Sequence, residues 1–135
     1  LTSEKEPNVI LCVDDEPIIL LSLVQELKNK LGHEFIFETA QDSDEGLEVI
    51  DDLTSRGTKV VLILSDWLMP GVNGDDFLIQ VHRKYPHIRS ILVIGHLEEG
   101  VSERVKEEAG TFTIISKPWN SDELVKAVLF CCNQN

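Results

Sequence analysis

Positive charge is scarce in this sequence. Twelve Lys and Arg stand against 24 Asp and Glu, for a formal net charge of −12. Phosphate contacts need a basic face, so direct nucleic-acid binding is not expected; the acidity reads as a solvated surface. Long apolar runs are absent as well, and none approaches the roughly 18 residues that span a bilayer. No membrane association is expected. Residues 1–8 form a polar leader without the apolar segment of a signal peptide. The first residue is not Met, so the sequence is expected to be a piece of a longer protein. Cysteine is sparse too: Cys12, Cys131 and Cys132 have neither metal spacing nor a disulfide framework. Cys12 lies in an apolar, strand-like run and reads as a small buried hydrophobe; the Cys131–Cys132 pair reads as packing or tail. His33, His82, His87 and His96 share no ligand spacing. A reducing cytoplasm is the expected location.

What remains is a 135-residue chain, 42% hydrophobic, which suits one domain with a proper core. It is organised around residues 62–74, LILSDWLMPGVNG. The apolar run Val60–Leu64 suits a strand buried on both faces. It stops at Ser65-Asp66, and two turn signals follow, Met69-Pro70-Gly71 and Asn73-Gly74. An acid is thus expected at the carboxyl end of a central strand, the edge where open α/β sheets bind ligands.

The rest alternates. Strands are expected at 9–13, 34–39, 60–64, 91–94 and 111–116. Pro17 fits the first turn of a helix that carries Leu20, Leu23, Leu27 and Leu31 and is closed by Gly32. Asp42 or Ser43 caps a second helix with the stripe Leu47, Ile50 and Leu53. A third follows Asn73 with Phe77, Leu78, Val81 and Tyr85. A weaker fourth, 98–109, shows only Val101, Val105 and Ala109. Asn120 or Ser121 caps a fifth, with Leu124, Val125, Val128 and Leu129 inward. Five strands alternating with five helices imply a parallel sheet covered on both faces. The expected domain is 9–133, with 134–135 as tail.

A parallel sheet puts all its strand ends on one edge. Asp14, Asp15 and Glu16 follow strand one, Asp66 strand three, Gly95-His96 strand four and Lys117-Pro118 strand five. Crowded carboxylates repel unless something neutralises them. A hard divalent cation such as Mg²⁺ does so, and suits a site where an aspartate accepts a phosphoryl group. Each residue alone has a bland reading: Asp66 or Asp14-Asp15 as a cap or turn, Lys117 as surface decoration. Their joint occurrence does not.

Asp14-Asp15, Asp66 with Met69-Pro70-Gly71 and Gly74, and Lys117-Pro118 together resemble the signature of CheY-like response-regulator receiver domains of two-component signalling. The resemblance runs from about Val9 to Leu129. It implies a flavodoxin-like (βα)5 fold with strand order 2-1-3-4-5, and a signalling module rather than an enzyme. Asp66 would be the phosphoacceptor, charged by a histidine kinase or phosphotransfer protein. Asp15 would ligate Mg²⁺ directly, Asp14 through water, and Leu68 by its backbone carbonyl. Lys117 would pair with the phosphoryl oxygens, and the Lys117–Pro118 bond would be cis. An output domain absent from this chain is implied, as is a homodimer face of helix four, strand five and helix five.

Two positions depart from the family pattern. Ile94 stands where receivers carry Thr or Ser, and Ile114 where they carry Tyr or Phe. Ile has no hydrogen-bond donor and is stiff. Phe112 is two residues earlier on the same expected strand face. Phosphorylation chemistry is therefore expected intact, with an atypical readout. The alternative is a degenerate receiver that binds a partner without phosphorylation. Phosphatases with an aspartyl-phosphate intermediate carry a second acid where Leu68 stands here, and flavodoxins lack the acidic trio, so both fit less well.

Overall fold

The computed structural model describes residues 7–96, 98 and 100–133. Most of the expected leader and the tail at 134–135 lie outside the described residues. Five strands and five helices alternate among those described: β1 Asn8–Val13, α1 Pro17–Leu31, β2 Phe35–Ala40, α2 Ser43–Ser55, β3 Val60–Asp66, α3 Gly74–Lys84, β4 Arg89–Ile94, α4 Val101–Glu108, β5 Thr113–Ser116 and α5 Ser121–Cys132. The strands pair in parallel in the order β2-β1-β3-β4-β5, as expected. No described helix is long and apolar enough to cross a membrane.

Side-chain alternation along the strands builds two cores. In β1, Val9, Leu11 and Val13 face α2, α3 and α4, while Ile10 and Cys12 face α1 and α5. Every residue of β3 is buried, so the expectation of a strand covered on both faces holds. Burial pushes the Cys12 thiol up to about 12, Cys132 to about 12 and Cys131 to about 11. Those thiols stay protonated and serve as packing.

Several helical stripes are occupied differently from the expectation. In α2, Leu47 is only half-buried and Gly46 takes the inward place. A β-carbon at Gly46 would lie 2.8 Å from the Phe77 ring, so the absence of a side chain is what lets Phe77 bury fully. In α5, Ala127, Cys131 and Cys132 complete the buried face, and Val125 and Leu129 are half-buried. Asn120 is its cap, accepting from Glu123 N–H at 3.0 Å. Asp42 caps α2 by accepting from Glu45 N–H at 2.8 Å. Asn8, counted with the leader, is the first residue of β1.

Strand five is shorter than expected. It begins at Thr113; Thr111 is tied back to the preceding helix, and Phe112 makes a single bond to β4 ahead of the strand. Thr111 N–H donates to Val105 C=O at 3.1 Å, and Phe112 N–H to Ser90 C=O at 2.9 Å. The Phe112 ring leaves the sheet and stacks on Phe130 of α5, centroids 4.5 Å apart.

Helix α4 also begins late, at Val101 after Gly100, and buries only Val101 and Val105. Ion pairs supplement that narrow apolar contact. Arg104 reaches Asp75 at 2.7 Å and Asp76 at 2.6 Å on α3, and Glu108 at 3.5 Å on its own helix. Asp75 is buried, and its second carboxylate oxygen has no partner among the described residues. Arg104→Ala would strand this buried carboxylate at a cost of about 1–3 kcal/mol. The expected result is a lower Tm with faster amide exchange confined to α4 and the first turn of α3. Uniform exchange across the chain would contradict this local role.

Candidate functional site

Each candidate side chain stands where an apolar strand runs out. At the end of β1, Asp14 N–H donates to Ala40 C=O at 3.1 Å, which continues the pairing with β2 by one residue. Its carboxylate accepts from Glu16 N–H at 2.9 Å, and Pro17 then starts α1. Asp14 is buried; Asp15 lies nearer solvent.

Asp66 is the last residue of β3 rather than the second residue past it, and is 8% exposed. The next peptide fixes it. Trp67 N–H donates both to Val93 C=O at 3.1 Å and to the Asp66 carboxylate at 3.0 Å. The following loop is tied back on itself. Met69 N–H donates to the Asn73 side chain at 3.3 Å, and Gly74 N–H to Trp67 C=O at 2.6 Å. Asn73 is therefore the N-cap of α3 by its backbone, accepting from Phe77 N–H, while its side chain is taken up by the loop.

Lys117 arrives from β5, its N–H donating to Ile94 C=O at 2.7 Å. The Lys117–Pro118 bond is cis, as expected. The ammonium lies 3.0 Å from Asp14 and 3.1 Å from Asp66. The four residues singled out from the sequence are thus brought together. Asp14, Asp15 and Asp66 each offer an oxygen within 4.8 Å of the others. An all-oxygen, carboxylate-rich set of this size fits a hard cation such as Mg²⁺. A cleft of about 320 Å³ opens above, where Asp15, Glu16, Asp66, Leu68, His96 and Lys117 share one space.

The electrostatics follow from burial and proximity. Burial raises the Asp66 pKa, and the neighbouring Asp14 charge raises it further; the Lys117 hydrogen bond and charge and the Trp67 N–H offset only part of this. For Lys117, burial acts downward, but its hydrogen bonds and charge pairing with Asp14 and Asp66 outweigh that and raise its pKa. The lysine is held as a cation beside an acid that is costly to ionise.

Ile94 ends β4 fully inside the core, paired in register with Ser116. Ile114 is partly buried against the core on the α3–α4 side. Neither offers a polar atom to the cleft. Phe112, bound up with Phe130, does not take the place of an aromatic at Ile114. Sequence reasoning missed Asp75, one residue into α3 beyond the Asp66 loop, and Arg104, which reaches it from α4. The available signal was an acid on the apolar stripe of α3, three residues before Leu78.

A family model described as the response regulator receiver domain matches residues 10–129. The hydrogenase transcriptional regulatory protein HoxA of Cupriavidus necator is 31% identical over 93% of this chain and 24% of its own length. The sensor kinase CckA of Brucella abortus is 25% identical over 88% of this chain and 12% of its own length. The chain thus spans about a quarter or less of these curated relatives. Among solved structures, a CheY-like response regulator receiver domain protein from Methanospirillum hungatei JF-1 is similar, with 29% identity, TM-score 0.80 and 93% of both chains covered. A response regulator receiver domain protein from Clostridium thermocellum superposes with TM-score 0.79 at 28% identity, over 94% of this chain and 95% of the other.

Proposed function

Because the chain belongs to the response regulator receiver domain family, we propose that residues 9–133 form a receiver unit whose Asp66 accepts a phosphoryl group. The observation that carries the reading is the meeting of Asp14, Asp15, Asp66 and Lys117 at one sheet edge. An Asp66 carboxylate oxygen attacks the phosphorus of a phosphohistidine. The P–N bond breaks, a P–O bond forms, and the imidazole leaves as a neutral ring that keeps the proton already on its other nitrogen. The product is an acyl phosphate.

The chain's own residues do three things. Trp67 N–H and the tied loop hold the attacking carboxylate in one orientation. Burial makes that carboxylate more basic, and so a better nucleophile, while Lys117 keeps it ionised. The Lys117 ammonium then follows the charge onto a phosphoryl oxygen. A Mg²⁺ ion held by Asp14, Asp15, Asp66 and the Leu68 carbonyl would offset the rest of the negative charge. On this reading the partners are a histidine kinase or phosphotransfer protein, and an output domain or effector. Cytoplasm is the proposed location.

The test is intact mass after incubation with Mg²⁺ and acetyl phosphate. A gain of one phosphoryl group is expected, and none without Mg²⁺. No gain, together with no response to beryllium fluoride, would favour the phosphorylation-independent interaction module. The metal role has a separate readout. Mg²⁺ should raise the Tm of the unphosphorylated protein, since a ligand bound only by the native state stabilises it by mass action. Asp15→Asn should lose most of that rise while keeping the fold, because Asp15 is the least buried of the three acids. An undiminished rise would remove Asp15 from the metal site.

A further inference from the structure

A transferring phosphoryl group spreads its charge over three equatorial oxygens, and each is best met by a positive or donating group. On the reading above, the cation and Lys117 meet two of them. Ile94 cannot meet the third, since its side chain is buried and carries no donor. The other walls of the cleft narrow the choice. Asp15, Glu16 and Asp66 are acids, and Leu68 and Gly95 have no polar side-chain atom. Trp67 is packed into the core, and its backbone N–H is already used by Val93 and Asp66.

His96 is left. It stands two residues past Ile94, after β4 has ended, and lines the same cleft as Asp66 and Lys117. Its side chain is exposed and makes no hydrogen bond or ion pair among the described residues. The space beside it is open, because a β-carbon at Gly95 would meet no atom within 4 Å. An imidazole keeps at least one N–H donor in either tautomer and when protonated.

We infer that His96 donates a hydrogen bond to the phosphoryl group on Asp66, supplying the contact that Ile94 cannot make. This rests on Asp66 being the phosphoacceptor. His96 then has a direct part in the transfer, and it links the segment just after β4 to the phosphorylated state without a hydroxyl at position 94.

A double-mutant cycle on the full chain tests it, with acetyl phosphate as donor and intact mass as the rate readout. His96→Ala should slow phosphoryl uptake about tenfold, the usual effect of one donor lost from a charged acceptor. His96→Gln, which keeps an N–H, should retain most of the rate. In an Ile94→Thr background the restored hydroxyl makes His96 redundant, so the same His96→Ala change should cost about twofold or less. Mg²⁺ affinity, followed by tryptophan fluorescence, should be equal in all variants and reports an intact pocket. Wild-type uptake in His96→Ala, or an equal loss in both backgrounds, overturns the inference alone. A wild-type protein that takes up no phosphoryl group overturns the phosphoacceptor reading and this inference with it.

Discussion

Asp66→Asn is expected to do two opposite things: abolish phosphoryl uptake and raise the Tm in metal-free buffer at neutral pH. The first follows because an amide has no anionic oxygen with which to attack phosphorus. The second follows from the raised pKa. In the unfolded chain Asp66 ionises near its ordinary value of 3.8; in the fold, burial and the Asp14 charge delay ionisation to higher pH. Between those two values the native state holds more protons than the unfolded state, so stability falls as pH rises. Above the raised value the loss is complete. Asn cannot ionise and escapes it, yet keeps an oxygen for Trp67 N–H, and Lys117 keeps Asp14 as a partner. The advantage of the variant should therefore vanish in acid, below the ordinary carboxylate range. It should also shrink when Mg²⁺ is added, since a cation held by Asp14, Asp15 and Asp66 would relieve the same repulsion in the wild type. A variant that melts below the wild type at neutral pH in chelator would mean that the Lys117–Asp66 pair outweighs the burial of Asp66.

The same contrast explains what could be read from the sequence. Asp14, Asp66 and Lys117 were legible because each interrupts an apolar, strand-like run at its carboxyl end, and a parallel sheet aligns such ends. Their convergence within a few ångströms is a consequence of topology alone. Contacts between helices were not legible in this way. Gly46 is buried because Phe77 needs its space, which no periodicity in α2 announces. Asp75 pairs with Arg104 across 29 positions, and the Trp119 indole Nε1–H donates to the Glu26 carboxylate at 2.6 Å across 93. Phe112 follows the alternation of a strand, yet its ring is claimed by Phe130 on a helix. Periodicity reports which face of one element is apolar, and it carries no information on which neighbour supplies the partner.

Gly74→Ala should be the most damaging small substitution near the site, although it adds one methyl group. Ser65 Oγ–H donates to Asp66 C=O at 2.9 Å, and the α-carbon of Gly74 packs against that same carbonyl. A β-carbon there would lie 2.0 Å from the carbonyl oxygen and 3.0 Å from Ser65 Oγ. The obstacle is backbone, and it is the backbone that carries Asp66, so no rotamer change relieves it. Either the start of α3 moves away, breaking the Gly74–Trp67 bond, or the end of β3 moves and takes Asp66 with it. Overpacking of this kind costs about 1–3 kcal/mol and at times more, which lowers the Tm by several degrees or more. Gly46→Ala is the useful comparison. There the obstacle is the far end of the Phe77 ring at 2.8 Å, and Ala gains about 1 kcal/mol of helix propensity over Gly. Its net loss should be smaller, and phosphoryl uptake should stay near wild type because Asp66 is untouched. If both variants lose stability equally and Gly74→Ala accepts phosphate at the wild-type rate, the loop after β3 is compliant and Asp66 is held by its own strand and Trp67 N–H alone. If only Gly74→Ala loses uptake, the close approach of α3 to the Asp66 carbonyl is what holds the acid in place.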